Sequence, residues 1–407
     1  MRRSTTIVAL GLAQTLAWAS TYYLPAMLAA PMARDLSVTV PTVFAAFSAA
    51  LVVSALLGPH AGRAIDRFGG RPVLMATNLV FALGLVLLGL ATGPTSLFAA
   101  WVILGIGMGS GLYEAAFAAL VRLWGHDSRG AITGVTLFAG FASTVGWPLS
   151  TYLEVHHGWR AACFVWAALH LCAGLPLNAL IPRVRKEAES APDPANEAAS
   201  PVSGDRPPLR ASLVLAWVFA TTWFISTAMA AHLPRVLQAG GASIETAVLV
   251  GALIGPAQVG ARLLEFGLLR RLHPLLSARL AALLHPVGVV LLGIFGMPAA
   301  AFFGVLHGAG NGILTIAKGT LPLAVFGPHG YGHRQGVLMV PARVAQALAP
   351  WAFGVAIDAW GAFALGVSAS LGALAFASLF LLPADLGGKK PTLPSNGPSG
   401  RDPPSGR

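Results

Sequence analysis

Apolar residues in this chain come in long unbroken runs, not in the two-residue alternation of a half-buried strand or the stripe of a soluble amphipathic helix. About 20 apolar residues suffice to cross a bilayer as a helix. Six such runs occupy the first half, near 7–29, 42–61, 72–91, 96–121, 130–152 and 161–181. Six more occupy the second, near 210–232, 245–269, 275–297, 299–326, 335–357 and 362–382. Between the sets, prolines mix with Glu, Lys, Arg, Ser and Asp from Pro182 to Arg210, a composition that cannot bury a core and reads as a disordered linker. The Pro/Gly/Ser-rich tail from Pro383 reads as flexible. The pattern predicts an all-α membrane protein of twelve transmembrane helices in two six-helix bundles, 1–181 and 210–382, with a linker at 182–209 and a tail at 383–407.

The halves echo each other. Tyr23-Leu24-Pro25 closes the first run and His232-Leu233-Pro234 the seventh; Gly107, Gly109 and Gly111 in the fourth match Gly308, Gly310 and Gly312 in the tenth. Pro148 in the fifth matches Pro350 in the eleventh, each about ten residues before a turn with Gly and Trp. Echoes in register imply parallel repeats, a common way to build a transporter. Arg2, Arg3 and Ala17-Trp18-Ala19 imitate a cleavable leader, but the apolar run continues to Ala30, so it is expected to remain as the first span.

Composition agrees with the runs. With 56% hydrophobic residues, 10% charged and a mean hydropathy of +0.71, the chain is too apolar for a soluble globule. Its charge of +11 does not form a nucleic-acid-binding stripe, because the cations cap the apolar runs. If the N-terminus is inside, nineteen Lys and Arg fall on that side, only Arg34, Arg160 and Arg235 on the other, and four inside spans, which accounts for all 26. The asymmetry predicts a multi-pass protein of the cell (inner) membrane with both termini and the linker in the cytoplasm. Cys163 and Cys172, nine apart, fall on roughly opposite helix faces and are expected to be free structural thiols. His156 and His157 lack Cys or acid partners at metal-binding intervals, and no Gly-Lys-Ser/Thr follows the glycine series. Neither an enzyme nor a metal or other cofactor is expected. The expected partners are a small-molecule substrate and the lipid bilayer, with no nucleic acid, and the chain is expected to act as a monomer.

Between the second and third runs lies Gly62-Arg63-Ala64-Ile65-Asp66-Arg67-Phe68-Gly69-Gly70-Arg71. With Gly62, Asp66, Arg67, Gly69 and Arg71, this stretch resembles the cytoplasmic signature Gly-x-Leu-x-Asp-Arg-x-Gly-Arg-Arg/Lys of the major facilitator superfamily, departing at Ala64 and Gly70. The resemblance covers residues 1 to 383 and implies a secondary transporter. It also implies that Asp66 braces a cytoplasmic gate against the N-terminal end of helix eleven, near Gln335 to Leu338, aided by Arg122. The alternative is that these are solvated topology charges. The second-half counterpart, Leu264 to Pro274, keeps Arg270 and Arg271 but lacks the Asp. Drug/proton antiporters of the superfamily carry an Arg early in helix four, where this chain has Trp101, and a Gly-Pro-x-x-Gly-Gly motif in helix five, here only Gly146-Trp147-Pro148. The glycine series to Tyr113, Arg262 on helix eight and the basic residues of helices ten and eleven are more similar to the monocarboxylate and oxalate/formate branch. There Gln258 stands where monocarboxylate carriers have an acid.

Charges inside spans normally face the protein interior or a wet cavity. Glu114, Arg262, Lys318 and Arg343 each lie eight residues from a basic-side helix end, about 12 Å deep at 1.5 Å per residue, and so form one layer. One interpretation is a positive pocket of Arg262, Lys318 and Arg343 that receives an anion, with Glu114 as charge partner or proton site. The other is two structural ion pairs, Arg262 with Glu265 and Lys318 with Glu114. Gln14, Tyr22, Tyr23 and Gln258 are candidate substrate contacts, and Glu265, His232 and His307 join Glu114 as proton-coupling candidates; packing and an interfacial aromatic belt are the alternatives for these residues. Arg279, four residues into its span, is expected to snorkel to the surface. The expected function is alternating-access transport of a small organic anion, coupled to protons or by exchange. Efflux of drug-like or metabolite compounds is the first alternative and a non-transporting sensor or scaffold the second.

Overall fold

The computed structural model describes residues 3–183, 209–268 and 273–382. Residues 184–208 of the expected linker and the expected tail lie outside the described residues, as does the middle of the loop holding Arg270 and Arg271. The first chain half forms α1 (Arg3–Ser20), α2 (Leu24–Asp35), α3 (Val40–Phe68), α4 (Gly70–Gly89), α5 (Pro94–Gly111), α6 (Tyr113–Trp124), α7 (Arg129–Ala139), α8 (Ala142–Leu169) and α9 (Leu175–Ala179). The second forms α10 (Leu209–Ala239), α11 (Ile244–Gly267), α12 (Pro274–Phe295), α13 (Ala300–Phe326), α14 (Tyr331–Trp360) and α15 (Ala364–Ser378). No strand occurs among the described residues. Among the described residues, eight helical stretches are long and apolar enough to cross a membrane, and two of them, Pro94–Ala179 and Tyr331–Leu381, are too long to be single crossings. Divided at their breaks, and with α1 and α2 added, they fit twelve crossings.

Three predicted spans of the first half are broken instead of continuous. The first parts at Thr21–Tyr23, ahead of Pro25, which has no N–H to continue a helical ladder. The fourth parts at Leu112, whose backbone is extended (φ −85°, ψ −164°), and the fifth at Gly140 and Phe141. Inside α8, Gly158 at φ +81° reverses the chain between the fifth and sixth crossings, a conformation that favours glycine. Irregular backbone at membrane depth is tolerated where protein satisfies it. Gln14 Nε2 does so by donating to Gly111 O at 2.6 Å, beside the Leu112 break.

The two glycine series mark equivalent helix crossings, but two residues away from the echoed register: Gly105 and Gly109, not Gly107 and Gly111, correspond to Gly308 and Gly312. A Cβ at Gly105 or Gly109 would lie 2.6 or 2.8 Å from the Ala50 or Ser54 carbonyl oxygen of α3. At Gly308 or Gly312 it would lie 2.6 Å from the Ile254 or Gln258 carbonyl oxygen of α11. Small residues thus let α5 approach α3, and α13 approach α11, to backbone distance.

The halves meet along α3 and α14 and, toward the face that carries Asp66, through α6 and α7 against α11, α13 and α14. This face is called the basic face below, for its arginines. At the opposite face α2 and α8 pack on helices of their own half. The polar contacts there also stay within one half: Arg160 and Trp159 with Asp35, and Arg235 with Asp358.

Candidate functional site

At the basic face the Asp66 carboxylate accepts from the backbone N–H groups of Gly332 and His333, both at 2.9 Å. These open α14, so the helix end that meets Asp66 lies ahead of the expected Gln335 to Leu338. Free N–H groups and the positive dipole end make such a terminus a natural partner for an acid. The contact depends on two glycines: a Cβ on Gly62 would sit 2.0 Å from the Gly332 carbonyl oxygen, and one on Gly332 2.5 Å from that of Gly62. Arg122 Nε donates to the Asp66 backbone oxygen at 3.1 Å, not to its carboxylate. Arg67 stacks on Phe68, 5.1 Å from the ring centroid, and Gly69 (φ +82°) starts the turn into α4 with Arg71 just beyond it.

Neither expected structural ion pair forms. Glu265, 2% exposed, reaches Arg129 at 2.9 Å, and Arg262 meets no acid among the described residues. Arg262 Nη1 instead donates to Thr136 O at 3.2 Å, near the end of α7, and Nη2 contacts Gln258 Oε1 at 3.5 Å. Glu114 meets Arg343, not Lys318: Oε2 and Nη2 are 2.9 Å apart. The competing partners are closer in space although farther in sequence, which spacing alone does not reveal. Arg279 does not snorkel to open surface but donates to Leu379 O at 3.0 Å and lies over the Phe380 ring.

The deep layer joins both halves. Arg343 donates to Gln346 Oε1 at 3.1 Å, and Gln346 Nε2 donates to the Tyr22 hydroxyl at 2.9 Å. Lys318, 5% exposed, places Nζ 3.9 Å from the Trp223 ring centroid and forms no ion pair or hydrogen bond through Nζ among the described residues. Arg343 shares the ring, with Cζ at 5.3 Å. Such cation–aromatic contacts contribute about 0.5–2 kcal/mol, more when desolvated. Trp223 lies parallel to Trp18 (6.4 Å between centroids, 5° between planes), and Trp18 also touches Tyr22, Tyr23 and Tyr113. The buried indole N–H groups of Trp18 and Trp223 meet no acceptor among the described residues. The site is therefore rich in donors and positive charge, with one carboxylate already committed. Trp223, Gln346, Arg129 and Tyr113 as a ring partner escaped sequence reasoning; in an apolar run a tryptophan reads as core, and the Gln346 signal was three residues' spacing from Arg343.

The histidines sit elsewhere. Ser368 Oγ donates to Leu365 O, so it accepts from His285 Nε2–H at 3.0 Å; His285 Nδ1 is then the acceptor for His307 Nδ1–H, also at 3.0 Å. The pair lines a cavity of about 20 Å³ with Thr222, Ser226 and Asn311, inside the second-half bundle. His232 Nε2 donates to Pro350 O at 2.7 Å, binding α10 to α14. A groove of about 690 Å³ beside the outer part of α8, lined by residues such as Trp147, Tyr152 and His156, holds none of the layer's charges.

Over residues 10–304 the chain matches the family model described as Major Facilitator Superfamily. It is 28% identical over 377 residues to an uncharacterized 38 kDa protein in the 23S RNA operon of Thermoproteus tenax, covering 90% of this chain and 91% of that protein. In fold it is similar to the proton:xylose symporter XylE, solved with 6-bromo-6-deoxy-D-glucose, at 15% identity and a TM-score of 0.74, covering 93% and 96% of the two chains. It is also similar to the human organic anion transporter MFSD10 (TETRAN), at 19% identity and a TM-score of 0.67, covering 93% and 99%. A family model spanning most of the chain, an all-helical membrane fold and a charged layer shared by the halves lead to one conclusion: the chain belongs to the major facilitator superfamily and is a membrane transporter.

Proposed function

We propose that this transporter moves a small organic anion by alternating access and that Lys318 holds the anion's charge. One observation carries the reading: a buried ammonium whose neighbour is an aromatic face and not a carboxylate. An unpaired charge at membrane depth is costly, so a ligand that neutralises it gains correspondingly. Trp18, Tyr22, Tyr23 and Trp223 supply an apolar wall of the kind a small-molecule site uses. Arg343 and Gln346 border the same wall, while Arg262 and Gln258 stand at its edge on α11. The likeness to an organic anion transporter concerns the fold and adds nothing about cargo.

In this reading, 1–181 and 210–382 are the two moving bodies, joined by a cytoplasmic linker at 182–209 and followed by a cytoplasmic tail at 383–407. The basic face is the cytoplasmic side of the cell membrane, carries both termini, and is the closed side, with Asp66 and its neighbours as the gate. The transporter works as a monomer. Glu114 is the preferred proton site because it alone of the candidates lies in the layer. His232, His307 and Glu265 are held by contacts outside it.

The test is thermal unfolding of the purified full-length protein against a panel of carboxylates and cationic drugs, repeated with Lys318→Met and Arg262→Gln. Carboxylates should stabilise the protein, Lys318→Met should abolish that, and Arg262→Gln should weaken it less. Stabilisation by cations alone, or full transport by folded Lys318→Met, refutes the proposal.

A further inference from the structure

We infer that Glu114 sets the valence of the cargo: by occupying Arg343 from within the protein, it leaves the site one positive charge, that of Lys318, and so selects singly charged anions. This rests on the anion reading above and assigns the selectivity to one residue.

Two cations share the Trp223 ring, and only one has an acid. Arg343 is held on two edges, by Glu114 Oε2 at 2.9 Å and Gln346 Oε1 at 3.1 Å, and its side chain is 3% exposed. The Glu114 side chain is the more open member of the pair, at 16%. It stands in the first turn of α6, immediately after the extended Leu112. That break places the positive end of the α6 dipole beside the carboxylate. The third cation, Arg262, is committed to the Thr136 carbonyl of α7 and to Gln258. Its nearest acid along the chain, Glu265, belongs to Arg129.

Charge arithmetic then follows. On the Trp223 ring itself, Lys318 and Arg343 contribute +2 and Glu114 contributes −1, leaving +1 there; Arg262, turned to the Thr136 carbonyl of α7, stays outside this sum. A singly charged anion brings this sum to zero. A doubly charged one overshoots it and brings its second carboxylate toward Glu114, in surroundings where unbalanced charge is poorly screened. Removing the Glu114 charge frees Arg343 and raises the sum to +2, which matches a dianion.

Butyrate and succinate have four carbons each and differ in charge, so they make a matched pair of probes. Half-maximal thermal stabilisation of full-length protein is measured for both at pH 6.5. The wild type should respond to butyrate at concentrations at least about tenfold lower than to succinate. Glu114→Gln should reverse the order, and Glu114→Gln with Arg343→Gln, which restores the sum to +1, should restore the wild-type order. Should Glu114→Gln fail to fold, Arg343→Gln serves: with Glu114 then opposing Lys318 alone, butyrate affinity should fall about tenfold. Lys318→Met alone, with Glu114 and Arg343 intact, leaves no net charge and should remove both responses. A Glu114→Gln protein that keeps the wild-type order, or an Arg343→Gln protein that binds butyrate unchanged, overturns the valence role alone. A wild type stabilised by neither probe overturns the anion reading and this inference with it.

Discussion

Glu265 Oε1 lies 2.9 Å from Arg129 Nη2 across the boundary between the chain halves, and Arg129 is the first residue of α7. The arrangement mirrors Asp66 at the start of α14. Each half thus sends one carboxylate to the start of a helix of the other, Asp66 to backbone N–H groups and Glu265 to the Arg129 side chain. The second-half loop lacks the signature's Asp, yet an acid from the helix before that loop reaches the equivalent place. Removing one member of a buried pair costs about 3–5 kcal/mol, and less here because the Arg129 side chain is 20% exposed. Glu265→Gln should lower the unfolding temperature and increase labelling of a cysteine introduced on the basic-face part of α7, in a background without Cys163 and Cys172. The swap Arg129→Glu with Glu265→Arg should recover part of both effects. Unchanged labelling in Glu265→Gln would mean that the pair does not hold this face closed.

Gly62→Ala tests the Asp66 contact sterically. The added methyl would lie 2.0 Å from a backbone oxygen and 2.2 Å from a backbone carbon of Gly332, and backbone cannot rotate aside. The start of α14 must then retreat, which lengthens both hydrogen bonds to Asp66. Bonds to a charged acceptor contribute about 1.5–3 kcal/mol each. The variant should therefore populate a form open at the basic face, read as raised thiol labelling and reduced net transport. Gly251→Ala on α11, with nothing within 4 Å of the new methyl, is the control and should behave as wild type. Equal behaviour of the two variants would remove the close crossing from the mechanism.

Much of the fold was legible because membrane crossing is written locally. Each span needs only its own apolar run, and the glycine series of the fourth and tenth spans carried the repeat, although packing aligns Gly105, Gly107 and Gly109 with Gly308, Gly310 and Gly312, two residues from the echoed register. The breaks at Leu112 and at Gly140 were not legible, since glycine-rich apolar helices read as continuous until Gln14 is seen on the Gly111 carbonyl. The depth of Glu114, Arg262, Lys318 and Arg343 could be counted from helix ends, but their partners could not. Pairing depends on which helix faces which, so Glu114 found Arg343, 229 residues away, and Glu265 found Arg129, 136 residues away.

Gln14 offers a test of the fourth span's break. Its amide donates to Gly111 O, and the residue is 1% exposed. Gln14→Leu keeps the volume but leaves that carbonyl buried without its donor, at a cost of about 1–3 kcal/mol. The unfolding temperature should fall, and because Glu114 begins the helix beyond the break, anion-induced stabilisation should weaken as well. Gln14→Glu should be worse, since a carboxylate cannot donate to a carbonyl. A Gln14→Leu protein as stable as wild type would place the break's support elsewhere.

His273 makes stability at the basic face depend on pH in a direction that can be derived. Its Nδ1 accepts from the Leu275 backbone N–H at 3.2 Å and so caps α12, which requires an unprotonated nitrogen. Burial, then Arg129, then Arg279 push its pKa below the ordinary 6.5. The folded protein therefore resists a proton that the unfolded chain accepts near 6.5. The unfolded state binds more protons in that window, so stability is full above it and declines as pH falls through about 6.5. Asparagine caps helices without titrating, so His273→Asn should match wild type at pH 8 and lose less stability between pH 7 and pH 5. The comparison is of unfolding temperatures across that range, since the rest of the protein titrates alike in both. Parallel curves for the two proteins would show that the His273 cap does not contribute to acid sensitivity.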